Sequence, residues 1–273
     1  MVNSCSGKMG HAAAEAAVRA GLPLVPFSYG GDSEDGKEVD VNGVKVTIVS
    51  PKRRVEVLEQ VRSEFPGAIM IDYTLPSVVN GNASFYAEHR IPFVMGTTGG
   101  DRDKIMQEAV DSGVYAVIAP NMGKQIVAMQ TMLEMMAERF PGCLAGYNMH
   151  VIESHQATKA DTSGTALANI ASFKKMGLDF DTQKDVELVR DEARQIGEMK
   201  VPKDALKGHA FHTYTVTSPD GSVTLQFQHN VVGRRVYAEG TVDAALFLAS
   251  KIEEGADKKI YNMVDVLSGG SMR

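Results

Sequence analysis

The chain has 273 residues, 44% of them apolar and 23% charged, an ordinary globular composition with material for one large or two modest domains. A net charge of −6 excludes attraction of the whole molecule to nucleic acid, so an anionic ligand must meet basic groups gathered locally. No apolar run approaches the roughly 20 residues that span a bilayer, and the two cysteines, Cys5 and Cys143, give no disulfide framework and read as plain buried thiols of a reducing compartment.

The opening MVNSCSGKMG leaves about three residues for a first strand, against a typical five or six. No signal or transit peptide is legible there, and the short strand suggests a chain trimmed at its start or relieved of a leader. Ala-rich Lys8 to Gly21 predicts a helix ended by Gly21. Leu22 to Tyr29 predicts a strand closed by Gly30-Gly31, and Val44 to Val49 alternates like one. Arg54 to Glu64 is helical, and Ala68 to Tyr73 is the near-continuous apolar run of a buried parallel strand. Then come a helix over Asn80 to His89, a strand over Pro92 to Met95, a helix over Asp101 to Ser112 and a strand over Tyr115 to Ala119. This alternation predicts a doubly wound, Rossmann-like parallel sheet with helices on both faces.

The pattern then changes. Lys124 to Arg139 is a Met-rich helix whose Met129, Met132, Met135 and Met136 suit a core or a subunit interface. Leu144 to Glu153 is a strand, Thr165 to Met176 a helix, and the polar stretch Asp179 to Lys207 mostly loop. His212 to Ser218 and Val223 to Val231 flank the hairpin signal Pro219-Asp220-Gly221, and Thr241 to Glu253 is a closing helix. Strands in succession predict a second domain of α+β type with an open mixed sheet, making the whole chain an α/β protein of two parts.

Three loops suit a dinucleotide. Ser4-Cys5-Ser6-Gly7-Lys8-Met9-Gly10 lies between the first strand and first helix, where glycines let backbone amides approach a pyrophosphate. Ser4 replaces the first glycine of the fingerprint, and a tight turn with no ligand is the alternative. The second strand ends Phe27-Ser28-Tyr29 without the acid that would bond a ribose 2′-hydroxyl. With Lys8 and Lys52-Arg53-Arg54 nearby, this leans towards NADPH with NADH as a possible second cofactor; a solvated loop is the other reading of the basic run. Gly96-Thr97-Thr98-Gly99 and Ala119-Pro120-Asn121-Met122 follow consecutive strands, at the carboxyl ends where such sheets bind ligands.

The segment Glu153 to Ala166, ESHQATKADTSGTA, runs from a strand into a helix. Ser163, Gly164 and Thr165 can present hydroxyls and amides to an anion at the helix start. His155 and Lys159 just upstream can bind a carboxylated substrate and move a proton, the Lys pKa being lowered by a neighbouring cation and partial burial. An N-cap with two incidental surface cations is the alternative.

These fourteen residues resemble the signature of the dihydrodipicolinate reductases, whose bacterial members carry E-x-H-H-x-x-K-x-D-x-P-S-G-T-A. Glu153, His155, Lys159, Asp161 and Ser163 to Ala166 match. Gln156 stands where bacteria have a second His, and the Pro is missing, both as in the plant-type branch. Gly7 to Gly10, Asp72-Tyr73-Thr74, Gly96 to Gly99 and Ala119 to Met122 are similar to further motifs of that family, in order along nearly the whole chain.

The resemblance implies reduction of a cyclic dicarboxylate, 4-hydroxy-tetrahydrodipicolinate, on the diaminopimelate route to lysine, with hydride delivered to ring C4 and water lost. Lys159 would donate a proton. His155 would donate or accept one, or hold the substrate. Ser163, Gly164 and Thr165 would bind a carboxylate, with Gln156 and Arg234 beside them, Arg234 being otherwise an exposed strand-end arginine. No metal is implied. The expected division is a dinucleotide domain over 1–123 and 235–273 and a substrate and oligomerisation domain over 124–234. Closure about hinges near Met122-Gly123 and Gly233 to Gly240 would exclude water. A homotetramer or a dimer, working in the plastid stroma or otherwise the cytoplasm, completes the expectation, with no nucleic-acid or membrane partner. Asp72 reads as a strand-end turn former, and the isolated His209 and His212 as structural or surface. Two competing readings are another reductase of the same two-domain plan, such as an amino-acid or a semialdehyde dehydrogenase, the acylating kind of which Cys143 is poorly placed to serve, and a non-catalytic cofactor sensor, which retention of His155 and Lys159 opposes.

Overall fold

The computed structural model describes residues 1–182 and 184–270. Gln183, in the expected loop, and residues 271–273, at the end of the expected first domain, lie outside it. The chain forms two compact units, Met1–Lys124 with the described part of Arg234–Arg273, and Gln125–Gly233.

The first unit starts with β1 (Val2–Asn3), α1 (Lys8–Arg19), β2 (Phe27–Tyr29), β3 (Glu38–Val41), β4 (Val44–Val49) and α2 (Arg54–Glu64). It continues through β5 (Met70–Asp72), α3 (Val79–Glu88), β6 (Phe93–Met95), α4 (Arg102–Ser112) and β7 (Ala116–Ile118). The second unit contains α5 (Lys124–Arg139, from its second residue), β8 (Asn148–His155), α6 (Gly164–Lys175), β9 (Val186–Val189), α7 (Glu192–Gly197), β10 (His209–Thr217) and β11 (Thr224–Val232). The chain then re-enters the first unit with α8 (Arg235–Glu253), β12 (Ile260–Tyr261) and α9 (Met263–Ser268).

In the first unit five parallel strands run in the order β1-β5-β6-β7-β12. Met70, Phe93, Val94, Met95, Ala116 and Val117 are fully buried, as apolar strands covered on both faces require. A small sheet β2-β4-β3 is tied to β1 by the Ser4 amide donating to the Tyr29 carbonyl at 2.9 Å. Helices α1 and α8 meet through Ala16, Ala17, Ala238 and Val242. Gly240 of α8 touches backbone: a Cβ there would stand 1.8 Å from the Met122 carbonyl oxygen. Lys124 and Asp243 form a buried ion pair beneath it.

The second unit carries a four-stranded mixed sheet, β11-β10-β8-β9, with only β8 and β9 parallel. Leu133, Val151, Ile170, Phe173, Tyr214 and Val216 fill the core on one face, with Met129 and Met136 packed against it, whereas Met132 and Met135 are exposed. Thr217 pairs with Thr224 across the expected Pro219-Asp220-Gly221 turn.

Several expectations change for physical reasons. The strand expected over Leu22 to Tyr29 contracts to Phe27–Tyr29, because Pro23 and Pro26 have no amide to give a ladder. The stretch Asp179 to Lys207 is mostly loop among its described residues, as expected, but not wholly so. It holds β9, a 3₁₀ turn over Lys203–Ala205, and α7, whose first turn is capped by Asp191 accepting from the Arg194 amide; such short elements carry too little periodicity to read. Strand β3 was visible in principle, since Asn42-Gly43 between β3 and β4 adopts positive φ at both residues, the signature of a tight hairpin. The closing helix begins at Arg235, and Cys143 is exposed rather than buried.

Candidate active site

In the second unit, β8 delivers Glu153 and His155 to the same face of the sheet, and β10 places His212 opposite Glu153. Glu153 is fully buried, and both its oxygens are engaged. Oε1 accepts from Arg190 Nη2 at 2.6 Å, and Oε2 accepts from the Ser163 amide, the N-cap of α6, at 2.9 Å. The same guanidinium donates to four main-chain carbonyls: Lys159 (2.6 Å), Glu153 (3.1 Å), Val189 (3.2 Å) and Asp161 (3.3 Å). Arg190 thus pins the loop carrying Lys159 to the end of β8. Gln195, from α7, donates to the His155 carbonyl at 2.7 Å.

The His155 ring lies 2.9 Å, Nε2 to Nε2, from His212, whose Nδ1 is 3.2 Å from the Tyr214 hydroxyl. His209 Nε2 meets Ser154 Oγ at 2.7 Å. Both histidines read as structural or surface are buried; His209 is structural, and His212 sits against the expected catalytic residue. Their arrangement was hidden because residues 57 apart in sequence meet only through strand register.

Burial pushes the His155 pKa down to about 4, with the charges of Arg190 and Lys159 acting in the same direction. Burial lowers His229 to about 4 and takes His212 well below 6.5. His155 is therefore neutral near pH 7, which corrects the expectation of two adjacent cations. Lys159 instead pairs with Asp161, Nζ to Oδ1 at 2.9 Å. Glu153, His155 and His212 bring ligand atoms within 4.8 Å of one another. Because both carboxylate oxygens are already bonded, and one partner is a guanidinium, this cluster is a hydrogen-bond network.

Of the other expected substrate groups, Gln156 and Gly164 are exposed, Thr165 is half-buried and Ser163 is buried. The Ser163 side chain does not cap α6. Arg234 is the N-cap of α8 and belongs to the first unit.

In the first unit, Ser4 takes φ +61°, the left-handed conformation a fingerprint glycine would supply. Gly7 is the N-cap of α1 with no side-chain cap, and a Cβ on Gly10 would stand 2.1 Å from the Ser4 carbonyl oxygen. An uncapped helix start with glycines where bulk is forbidden fits a pyrophosphate. Cys5 and Ser28 do not face a ligand: both are fully buried, and the Cys5 amide donates to Ser28 Oγ at 3.0 Å. The Thr97 hydroxyl is also buried, bonded to Asp72 and the Thr74 carbonyl, whereas Thr98 is exposed. Asp72 holds its turn through Thr74, as expected of a strand-end turn former. Ala119 and Met122 are buried, leaving Pro120 and Asn121 as the accessible parts of their loop.

An acid was missed. Just past β2, Glu34 accepts from the Ser6 hydroxyl at 3.0 Å. The basic run is not free charge either: Lys52 faces Asp32 at 3.9 Å, Arg53 faces Asp35 at 3.7 Å, and Arg54 stacks 4.0 Å over Phe85.

With this geometry in place, comparison with known proteins is decisive. The family description "Dihydrodipicolinate reductase, N-terminus" matches residues 1–122, and "Dihydrodipicolinate reductase, C-terminus" matches 125–267. The chain belongs to the dihydrodipicolinate reductase family. It is 52% identical over 273 residues to 4-hydroxy-tetrahydrodipicolinate reductase 1, chloroplastic, of Arabidopsis thaliana, covering all of this chain and 78% of that protein. A probable chloroplastic counterpart from Oryza sativa subsp. japonica is also 52% identical, over 274 residues, with 79% of it covered. In fold, the chain matches a dipicolinate-bound dihydrodipicolinate reductase from Paenisporosarcina sp. TG-14 with a TM-score of 0.64 at 17% identity, over 96% of this chain and 97% of the other. The chain is an oxidoreductase of the pyridine-nucleotide-dependent kind, reducing 4-hydroxy-tetrahydrodipicolinate, a small dicarboxylate, in the diaminopimelate route to lysine. Among the described residues no helix is long and apolar enough to cross a membrane.

The imidazoles set a pH dependence. Unfolded, each binds its proton near pH 6.5; folded, His155 and His229 do so only near 4. Between those values the unfolded chain holds more protons, so the stability they contribute is complete above about pH 6.5 and is lost on acidification towards 4. The urea midpoint should stay level above this window and fall through it, and His229→Phe should flatten the fall. An unchanged slope in that variant would remove His229 from the explanation.

Proposed function

We propose that the first unit binds the dinucleotide and the second the dicarboxylate, with Lys159 as proton donor and His155 as its partner at the reacting ring. The reading is carried by Arg190, which fixes the Lys159 loop beside His155 while leaving the lysine ammonium on an exposed partner, Asp161. A bound dinucleotide would supply hydride to ring C4 after the 4-hydroxyl has been lost as water. Lys159 Nζ delivers a proton to the resulting enamine-type species. The Ser163 amide is held by Glu153, so the amides of Gly164 and Thr165 and the Ser163 hydroxyl donate to one substrate carboxylate at the start of α6, helped by the positive end of the helix. Gln156 donates a hydrogen bond but cannot titrate, and Arg234 offers a bidentate fork to a carboxylate. NADPH oxidation with freshly condensed aspartate semialdehyde and pyruvate tests this. Lys159→Ala should lower kcat by about a hundredfold or more, the usual reach of a general acid, with His155→Ala also impaired. Full activity in both would end the assignment.

For the cofactor, we propose amides and small side chains of Ser4, Ser6, Gly7, Lys8, Met9 and Gly10 at the pyrophosphate, and of Gly96, Thr98, Pro120 and Asn121 towards the nicotinamide. NADPH is favoured through Lys8, and through Lys52 and Arg53 once a 2′-phosphate displaces their surface partners Asp32 and Asp35, while NADH is also accepted because Glu34 can bond a ribose 2′-hydroxyl and repels a 2′-phosphate. Glu34→Gln should raise the NADPH-to-NADH ratio of kcat/KM by roughly tenfold, equivalent to about 1.4 kcal/mol. A ratio that stays put would exclude Glu34 from cofactor choice.

We further propose a homo-oligomer, a dimer or tetramer. The open face of the second unit's sheet is a polar ladder, Gln226 on Thr215 and Gln228 on Thr213, ending in the exposed nine-residue edge strand β11, and long bare edges invite pairing. Sedimentation at micromolar concentration should give a multiple of 29.4 kDa, and a single species at that mass would refute it. The chloroplastic names of the plant relatives support work in a plastid, which organelle fractionation checks.

A further inference from the structure

Behind His155 lies a run of polar groups that the proposed chemistry does not use. Asn169, on α6 and 1% exposed, donates Nδ2–H to the Tyr214 hydroxyl oxygen at 3.1 Å. Tyr214 is itself fully buried between Phe173 and His229. Its hydroxyl owns one proton, and His212 Nδ1 stands 3.2 Å away to receive it. A neutral imidazole has one N–H and one bare nitrogen. If Nδ1 of His212 accepts, its proton is on Nε2, which points at His155 Nε2 across 2.9 Å. That nitrogen of His155 must then be bare, and its own proton sits on Nδ1. The opposite polarity would give Tyr214 two incoming donors, Asn169 and His212, and leave its own proton without an acceptor in a buried site, which is unfavourable.

We infer that the chain Asn169–Tyr214–His212 is a positioning device that holds His155 in its Nδ1–H form, so that His155 serves the reaction as a preset neutral imidazole and proton delivery falls to Lys159. The inference rests on the reading of His155 as a site residue. The His209 main-chain carbonyl also favours a proton on the His155 ring, in the same sense, but charged and titratable side chains around it do not supply the direction. Glu153 Oε2 is 3.9 Å from His155 Nε2 and already bonded to the Ser163 amide, Arg190 and Lys159 are cations, and His209 is occupied by Ser154 and the Ala205 carbonyl. His229 packs against His212 with its ring tilted by 50° and centroids 4.5 Å apart, rather than bonding it. Asn169 Oδ1 finds no partner among the described residues. Turning that amide over would strand Nδ2–H instead and allow the whole chain to reverse.

Long-range ¹H–¹⁵N spectra of the full chain labelled at histidine read the tautomer directly, with His155→Gln assigning the signals. In the unmodified protein above pH 7, His155 Nδ1 should carry the proton and Nε2 be bare. Tyr214→Phe keeps the ring in its pocket and removes only the directing hydroxyl. His155 should then shift to a mixture of tautomers, with kcat reduced roughly tenfold by lost preorganisation and KM little changed. A His155 found protonated on Nε2, or unmoved by Tyr214→Phe, overturns the inference. Because the tautomer is read without substrate, that result stands apart from whether His155→Ala and Lys159→Ala lose activity.

Discussion

A carboxylate that no water reaches organises the second unit. Glu153 is fully buried on the middle of a sheet, where an uncompensated charge is not tolerated. Its compensation is complete: Arg190 on one oxygen and the first amide of α6 on the other. The remaining donors of Arg190 reach the carbonyls of Lys159, Glu153, Val189 and Asp161. One ion pair therefore fixes the end of β8, the start of α6 and the loop between them. Removing either partner would strand the other, at a typical cost of about 3–5 kcal/mol. The local order of the site and the stability of the unit are thus the same interaction seen from two sides.

The first unit shows a parallel economy with neutral groups. Ser4 accepts a left-handed conformation so that its carbonyl can receive the Gly7 amide and lie under Gly10. The strand-to-helix turn is held by backbone contacts that no side chain larger than hydrogen permits. Cys5 and Ser28 then lock the turn from beneath rather than lining it. Cys5 from the turn and Ser28 from β2 look like ligand groups in the sequence, but both side chains point inward.

How much was legible follows from the range of the interaction. Elements set by local periodicity, such as α1, α2 and α5, and the hairpin around Pro219-Asp220-Gly221 stood out, as did the alternation that specifies the parallel sheet. His155, Lys159 and Ser163 were visible as a segment because they are neighbours in the chain. Arg190, His212 and Tyr214 were not, since they join that segment only through pairing of β8 with β9 and β10. Glu34 is hidden in the sequence because it lies five residues past the strand end at Tyr29 and meets Ser6 only through the fold. The charge of Lys52 to Arg54 was overcounted for a related reason: its acidic partners lie across a turn.

The two cations nearest the Glu153–Ala166 segment are therefore not equivalent. Arg190 is largely buried, its side chain 16% exposed and bonded to a carboxylate that is fully buried. Lys159 faces Asp161, whose side chain is 81% exposed. A pair with one arm in water contributes little to stability and is readily exchanged. An arriving substrate carboxylate can take Asp161's place beside Lys159 at small cost, whereas no ligand can draw Arg190 away from Glu153 without leaving a buried charge behind. On the proposed reading the fold separates holding from reacting: a cation bonded to a buried carboxylate keeps the loop in place, and a cation with an exchangeable partner is left to meet the ring.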